Sequence, residues 1–176
     1  ETYLWANDGL HCPVVDNWWQ TETGWPIAAN PRGLENLDVK PGSPSVPVPG
    51  YALDVVDGKG NPIKRGKEGN IVISLPMPPG TLAGLWGRPD GYEKAYLNVF
   101  DGYYATGDSG HIDEDGYVYV MGRTDDVINV AGHRLSTGQL EEAIAGHEAV
   151  AECAVTGVKD ELKGQRAVGF ITFKHG

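Results

Sequence analysis

The sequence predicts a β-rich α/β chain in two parts, and three observations carry that expectation. Its 25 glycines and 12 prolines are spread between short apolar runs rather than gathered in one block, which implies many turns and many short strands. From Pro41 to Pro49 a proline recurs every two or three residues ("PGSPSVPVP"), which forbids helix and marks a passage from one packing unit to the next. In the last third, one helical pattern with a start signal stands among strand-like runs, the order of a small α+β unit.

Each element follows from local pattern. "CPVVDN" (12–17) is a short apolar run ending in polar residues, so it reads as a buried strand that delivers "WWQTETG" (18–24) into a loop at its C-terminal end. In open parallel sheets that is where ligands bind. "YALDVV" (51–56) and "GNIVISL" (69–75) form a hairpin around "DGKGNP", whose Asp-Gly and Gly-Asn-Pro suit turn geometry. In "GYEKAYLNVF" (91–100), Tyr92, Tyr96 and Val99 have helical spacing. "GYYATG" (102–107), "SGHID" (109–113) and "YVYVMG" (117–122) read as three strands, the last two joined by "EDG". This middle part has the character of a small β-barrel or a β-rich subdomain.

"VINVAG" (127–132) is again a strand. Ser136, with Gln139 three residues on, makes a capping box, and Leu140, Ala143, Ile144 and His147 follow on one helical face. "AVAECAVTGV" (149–158) and "RAVGFITF" (166–173) complete a β-α-β-β order. Glu141 and Glu142 on the helix are expected to be solvated.

Charge and composition exclude several classes. Lys and Arg number 14 against 24 Asp and Glu, and the net charge of -10 repels phosphate backbones, so no nucleic-acid partner is expected. No apolar run reaches the ~20 residues that cross a bilayer, so no membrane partner is expected either, and no secretory leader opens the sequence. Cys12 and Cys153 lack a Cys-x-x-Cys companion and read as buried free thiols. The five histidines (11, 111, 133, 147 and 175) have no metal-ligand spacing, so no histidine metal site is expected.

Three polar, glycine-flanked clusters remain: "WWQTETG", "YATGD" (104–108) and "GRTDDVINVAGHR" (122–134). Threonine hydroxyls and glycine amides suit phosphate oxygens, a loop aspartate suits a ribose diol or magnesium, and arginine suits phosphate through paired donors. Together they sketch a nucleotide site. In this order the clusters resemble the adenylate-forming superfamily, and the double tryptophan resembles its short-chain acyl-CoA synthetases of the acetyl and propionyl type. "DEDGYVY" and the closing "VTGVKDELKGQRAVGFITFKHG" extend the likeness along the whole chain.

The resemblance implies a fold and a set of roles. Residues 1–124 would be the C-terminal part of a large adenylation domain, comprising a parallel-sheet end and a distorted β-barrel over about 40–124. Residues 125–176 would be the hinge and a truncated small α+β domain. The implied reaction joins acetate or propionate to AMP from ATP, then to coenzyme A, with Mg2+ as the metal. Trp18 would stack on adenine opposite Val120, and Gln20 would line the nucleotide. Thr21 would donate to the α-phosphate or the reacting carboxylate, and Glu22 would hold magnesium. Asp108 would accept both ribose hydroxyls, with Arg123 supporting the ribose. Arg134 would reach the phosphates, Gly132 would let the pantetheine arm pass, and Asp125 would be the hinge. Trp19 stands where longer-chain relatives carry glycine, so its indole would cap a small acyl pocket.

The glycine-rich loop and the Pro-Lys-Thr-x-Ser-Gly-Lys segment of that superfamily do not occur in these 176 residues. The chain is therefore expected to be a fragment that is inactive alone, from an enzyme of the cytoplasm or the mitochondrial matrix. Strands without their usual neighbours would present bare edges and favour self-association. The alternative reading is a non-catalytic binding module that retains the adenylate-forming fold.

Overall fold

The computed structural model describes residues 2–174; the side chains of Thr2 and Arg134, and His175 as a whole, lie outside the described part. Two compact units divide the chain, Glu1–Val120 and Met121–Gly176.

In the first unit, helix α1 (Thr2–Leu10) precedes a three-stranded sheet in the order β1-β2-β3, formed by Asn17–Trp19, Pro26–Ala29 and Val46–Pro47. The helix had no signal in the sequence reading. The strand expected over Cys12–Asn17 is displaced, for the chain from Pro13 to Asp16 takes no regular structure and the strand is Asn17–Trp19 itself. Its antiparallel partner explains the shift. Ala28 and Ala29 offer ladder groups opposite Trp18 and Asn17, whereas Trp19 falls opposite Pro26 across a register break. Proline has no N–H to give to a ladder, so pairing ends there and the chain turns.

The second sheet has the order β4-β5-β6-β7, formed by Leu53–Val56, Gly69–Ser74, Tyr103–Ile112 and Val118–Arg123. The expected hairpin is present, with Leu53 opposite Ile73 and Val55 opposite Ile71. Ile71, Val72 and Ile73 are all buried, as a central strand covered on both faces requires. Two apolar clusters make the core, one of Ile27, Val48, Tyr51, Ile73 and Tyr104, the other of Ala28, Val55, Ile71, Ile112 and Val118. Each isoleucine or valine among them stabilises the fold by roughly 1.5–3 kcal/mol through burial.

The two strands expected over 102–107 and 109–113 are one strand, β6. The physical reason is a bulge rather than a break. Asn70 pairs with Ser109 but Val72 pairs with Ala105, so β6 carries extra residues at Thr106–Asp108. Thr106 fills the gap in the ladder with its side chain: Oγ1 donates to the Ile71 carbonyl at 2.6 Å and accepts the Asp108 N–H at 3.1 Å. Gly107 takes the positive φ of 72° that the bulge needs.

Between β5 and β6, α2 (Pro89–Tyr92) continues into a π-helical turn, Glu93–Leu97. The proline-rich passage is clamped to the turn before β7. Lys40 Nζ lies 2.6 Å from both Asp113 and Asp115 and 4.2 Å from the centre of the Tyr117 ring. The two carboxylates raise the lysine well above its usual range.

The second unit is a four-stranded sheet in the order β10-β11-β8-β9 with one helix. Strands β8 (Val127–Val130) and β9 (His133–Ser136) form a hairpin that the sequence reading did not include. Its two-residue turn is Ala131-Gly132, with φ of 50° and 86°. Ser136 caps α3 (Thr137–Ala145) as expected, accepting the Gln139 N–H at 3.4 Å. Strands β10 (Val150–Asp160) and β11 (Gly164–Phe173) pair antiparallel over their whole length.

Glu141 is not solvated, because its Oε1 accepts the Val155 N–H at 2.7 Å and ties α3 to β10. Cys12 is exposed and Cys153 half-buried, since Cys12 lies in the irregular segment while the Cys153 thiol donates to the Glu141 carbonyl at 3.2 Å.

Candidate functional site

The loop after β1 is built around a threonine that the sequence reading passed over. Thr23 is 2% exposed, and its Oγ1 accepts the Gln20 N–H at 3.0 Å while facing the carbonyls of Gln20 at 2.9 Å and Trp25 at 3.0 Å. This closes a tight turn that pins Gln20 and turns the exposed Thr21 and half-buried Glu22 outward from it. The Glu22 carbonyl accepts the Leu82 N–H at 2.7 Å, which fixes the turn from outside.

Strand alternation separates the two indoles. Trp18 is half-buried and packs against both core clusters; Val120 packs against the second of them, so the two residues share a support. Trp19 points the other way and is 57% exposed.

Gln20 joins the first motif to the second. Its Nε2 donates to Asp108 Oδ2 at 2.6 Å and to the Thr106 carbonyl at 2.8 Å, across 88 and 86 residues of sequence. Its Oε1 accepts from the Tyr104 hydroxyl at 3.3 Å. The amide orientation follows from chemistry, because the reverse would set an oxygen against a carboxylate. Burial, helped by Glu22 and its neighbours, pushes the Tyr104 phenol far above its usual range, so it stays a donor at any ordinary pH. Asp108 is 7% exposed at the bulge. It is thereby held rigidly, with its carboxylate served by a charge-assisted bond.

Glu22 has a second constraint absent from the sequence reading. The Tyr96 hydroxyl donates to its Oε1 at 2.9 Å, and the Tyr96 ring stacks on Tyr104 at 5.3 Å and 6°. Oε2 of Glu22 has no hydrogen bond or ion pair among the described residues. A half-buried carboxylate with one oxygen tied and one open suits a hard cation such as Mg2+, which keeps several waters and takes one or two carboxylates from protein. Among the described residues no cluster of three His, Cys, Asp or Glu forms a protein cage for a metal.

In the second unit, Arg123 Nε lies 3.3 Å from Asp125 Oδ1, both side chains being largely exposed. Gly132 is at the exposed tip of the β8–β9 turn with a left-handed φ of 86°, open space lying where a Cβ would point. Arg134 lies on β9, its side chain outside the described part. In the first unit Gln20 thus joins the loop after β1 to Asp108 on β6, and Trp18 on β1 and Val120 on β7 pack on one apolar cluster, while the second unit places Arg123 beside Asp125.

Comparison with known proteins gives a consistent picture. Residues 1–86 match the family described as AMP-binding enzyme, and residues 139–176 match the AMP-binding enzyme C-terminal domain. Acyl-CoA synthetase short-chain family member 3, mitochondrial, of Pongo abelii is 50% identical over 93% of this chain and 24% of its own length. Propionate–CoA ligase of Escherichia coli is 48% identical over 97% of this chain and 27% of its own. Among solved structures, an ATP-bound RpMatB-BxBclM chimera matches with a TM-score of 0.77 and 30% identity, over 94% of this chain and 31% of that one. The chain spans about a quarter of the length of the curated relatives it matches. No helix among the described residues is long and apolar enough to cross a membrane.

Proposed function

Because the chain belongs to the AMP-binding enzymes, we propose that it carries the adenosine- and acyl-facing part of an ATP-dependent short-chain acyl-CoA synthetase. One observation carries the reading. The Gln20 to Asp108 bond at 2.6 Å brings two of the three clusters that together sketch a nucleotide site into direct contact.

In this reading a carboxylate oxygen of acetate or propionate attacks the α-phosphorus of ATP and pyrophosphate leaves. The coenzyme A sulfur then attacks the acyl carbon, and AMP leaves. Little covalent help is needed from the protein; orientation and compensation of negative charge do most of the work. Asp108, held by Gln20, accepts the two ribose hydroxyls. Trp18 supports adenine, with Val120 on the same core cluster, and such stacking is worth ~1 kcal/mol. Thr21, exposed at the tip of the turn, donates its hydroxyl to the α-phosphate or to the incoming carboxylate. Mg2+, when bound at Glu22, would offset phosphate charge.

Roles in the second unit rest on the resemblance and on residue chemistry. Arg123 supports the ribose, Arg134 the phosphates, and Asp125 absorbs the dihedral change of a domain rotation. Gly132, lacking a side chain at an exposed turn, leaves room for the pantetheine arm of coenzyme A. Trp19 caps the acyl pocket; it faces away from Trp18, so one dipeptide serves a base and an acyl tail without conflict.

The compartment proposed is the cytoplasm or the mitochondrial matrix, and one relative is named mitochondrial. The 176 residues by themselves do not form an adenylate, since they hold neither the glycine-rich loop nor the lysine segment. ATP–pyrophosphate exchange tests the proposal. The complete chain that carries these residues should exchange with acetate or propionate, while the 176 residues alone should not. Exchange by the complete chain with hexanoate but with neither short acid would overturn the substrate class.

A further inference from the structure

We infer that Tyr96 is a positioning residue for the Glu22 carboxylate, and that the Tyr96–Tyr104 stack ties the metal-facing acid to the ribose-facing acid through Gln20. The inference rests on the proposed roles of Glu22 and Asp108 and adds residues that none of the three sequence clusters marks as paired.

The contacts run without a gap. Glu22 Oε1 accepts from Tyr96, whose ring stacks on Tyr104 at 5.3 Å; the Tyr104 hydroxyl donates to Gln20, and Gln20 donates to Asp108. Tyr104 is 0% exposed, so the stack has a fixed floor. Tyr92 closes the other side of Tyr96 at 5.6 Å and 40°.

The backbone is arranged to deliver this ring. Tyr96 lies in the π-helical turn Glu93–Leu97, where widening of the helix redirects side chains relative to an α-helical turn, and such turns recur at functional sites. A flexible acid on a loop tip would otherwise sample several rotamers, each with Oε2 in a different place. Tying Oε1 to a stacked phenol leaves one, with Oε2 open.

A purely structural tyrosine would contribute to stability alone, so the test reads metal affinity. Mn2+ serves as the probe, its binding to the ATP complex of the complete chain followed by electron paramagnetic resonance, alongside thermal melting. Tyr96→Phe keeps the ring and the stack but removes the donor. Its dissociation constant for Mn2+ should rise about tenfold, the loss usual when a partner that orients a metal ligand is removed. Tyr92→Phe, which bears on the same stack but has no bond to Glu22, should leave that constant unchanged.

Three outcomes separate this inference from the reading beneath it. If Glu22→Gln leaves Mn2+ affinity unchanged, the metal role of Glu22 fails. If Glu22→Gln weakens binding while a folded Tyr96→Phe does not, the positioning role fails and the metal role stands. If the double variant is weaker than Glu22→Gln by the full Tyr96→Phe factor, Tyr96 acts independently of Glu22 and the inference is overturned. Equality of the double variant with Glu22→Gln is the expected result.

Discussion

Replacing Gln20 by glutamate would put a second carboxylate where an amide now donates 2.6 Å to Asp108. Two unit charges about 4 Å apart repel by ~4 kcal/mol at an effective dielectric constant near 20. The folded chain can relieve most of this by holding one proton between the two groups, which raises one carboxyl's folded value above its ordinary range of about 4. A raised folded value contributes its stability below the unfolded value and loses it as pH climbs through the folded value. The variant should therefore already be losing this stability at pH 5 and lose a further ~2–4 kcal/mol by pH 8. For a chain of this size that is roughly 4–16 °C in Tm. Melting curves of parent, Gln20→Glu and Gln20→Leu from pH 5 to 8 make the assay. The leucine variant should be destabilised by ~2 kcal/mol at every pH, having lost a bond to a charged group without gaining a titrating one. Parallel pH profiles for all three chains would refute the contact between Gln20 and Asp108.

Three further outcomes follow from the packing and hydrogen bonds of the chain. A Cβ on Gly110 would overlap the Tyr119 carbonyl oxygen and come within 2.8 Å of Ile71 Cδ1, so Gly110→Ala should cost about 3 kcal/mol in urea unfolding, as backbone must move. Glu141→Ala should cost ~1–2 kcal/mol and speed hydrogen exchange at the Val155 amide, and Glu141→Gln should restore most of both. Asp160 is held below its usual value by the backbone N–H groups of Lys163 and Leu162, and Asp57 by Asn61 and Lys59. Depressed values give stability that is present above about pH 4 and is lost as pH falls through the folded values, so Asp160→Asn should flatten the acid limb of the melting profile.

Much of the scaffold was legible because its signals are local. The Leu53–Val56 and Gly69–Ser74 hairpin, the Ser136 cap and the two long closing strands each follow from residues within a few positions of one another. The second half of the β8–β9 hairpin was missed because its turn begins with alanine at positive φ, a conformation that residue seldom signals. The strand near the start was misplaced because Val14 and Val15 look like core, while the partner that selects Asn17–Trp19 lies in Pro26–Ala29.

The candidate site divides along the same line. Trp18, Gln20, Glu22 and Asp108 stood out by their motifs, yet nothing local distinguishes Thr21 from Thr23, and only packing reveals Thr23 as the buried organiser of the turn. The partners of the acids are remote: Tyr96 lies 74 residues from Glu22, and Tyr104 lies 84 from Gln20. Tyr96 carried a helical-spacing signal, which spoke of packing and gave no hint of a carboxylate.

The central claim is that Asp108, braced by Gln20 at the β6 bulge, receives the ribose of ATP. The Michaelis constant for ATP of the complete chain, compared between parent and Asp108→Ala at saturating propionate, tests it most directly. The account predicts a rise of at least about tenfold, since two hydrogen bonds to a charged acceptor are lost. An unchanged constant in a folded variant would contradict it.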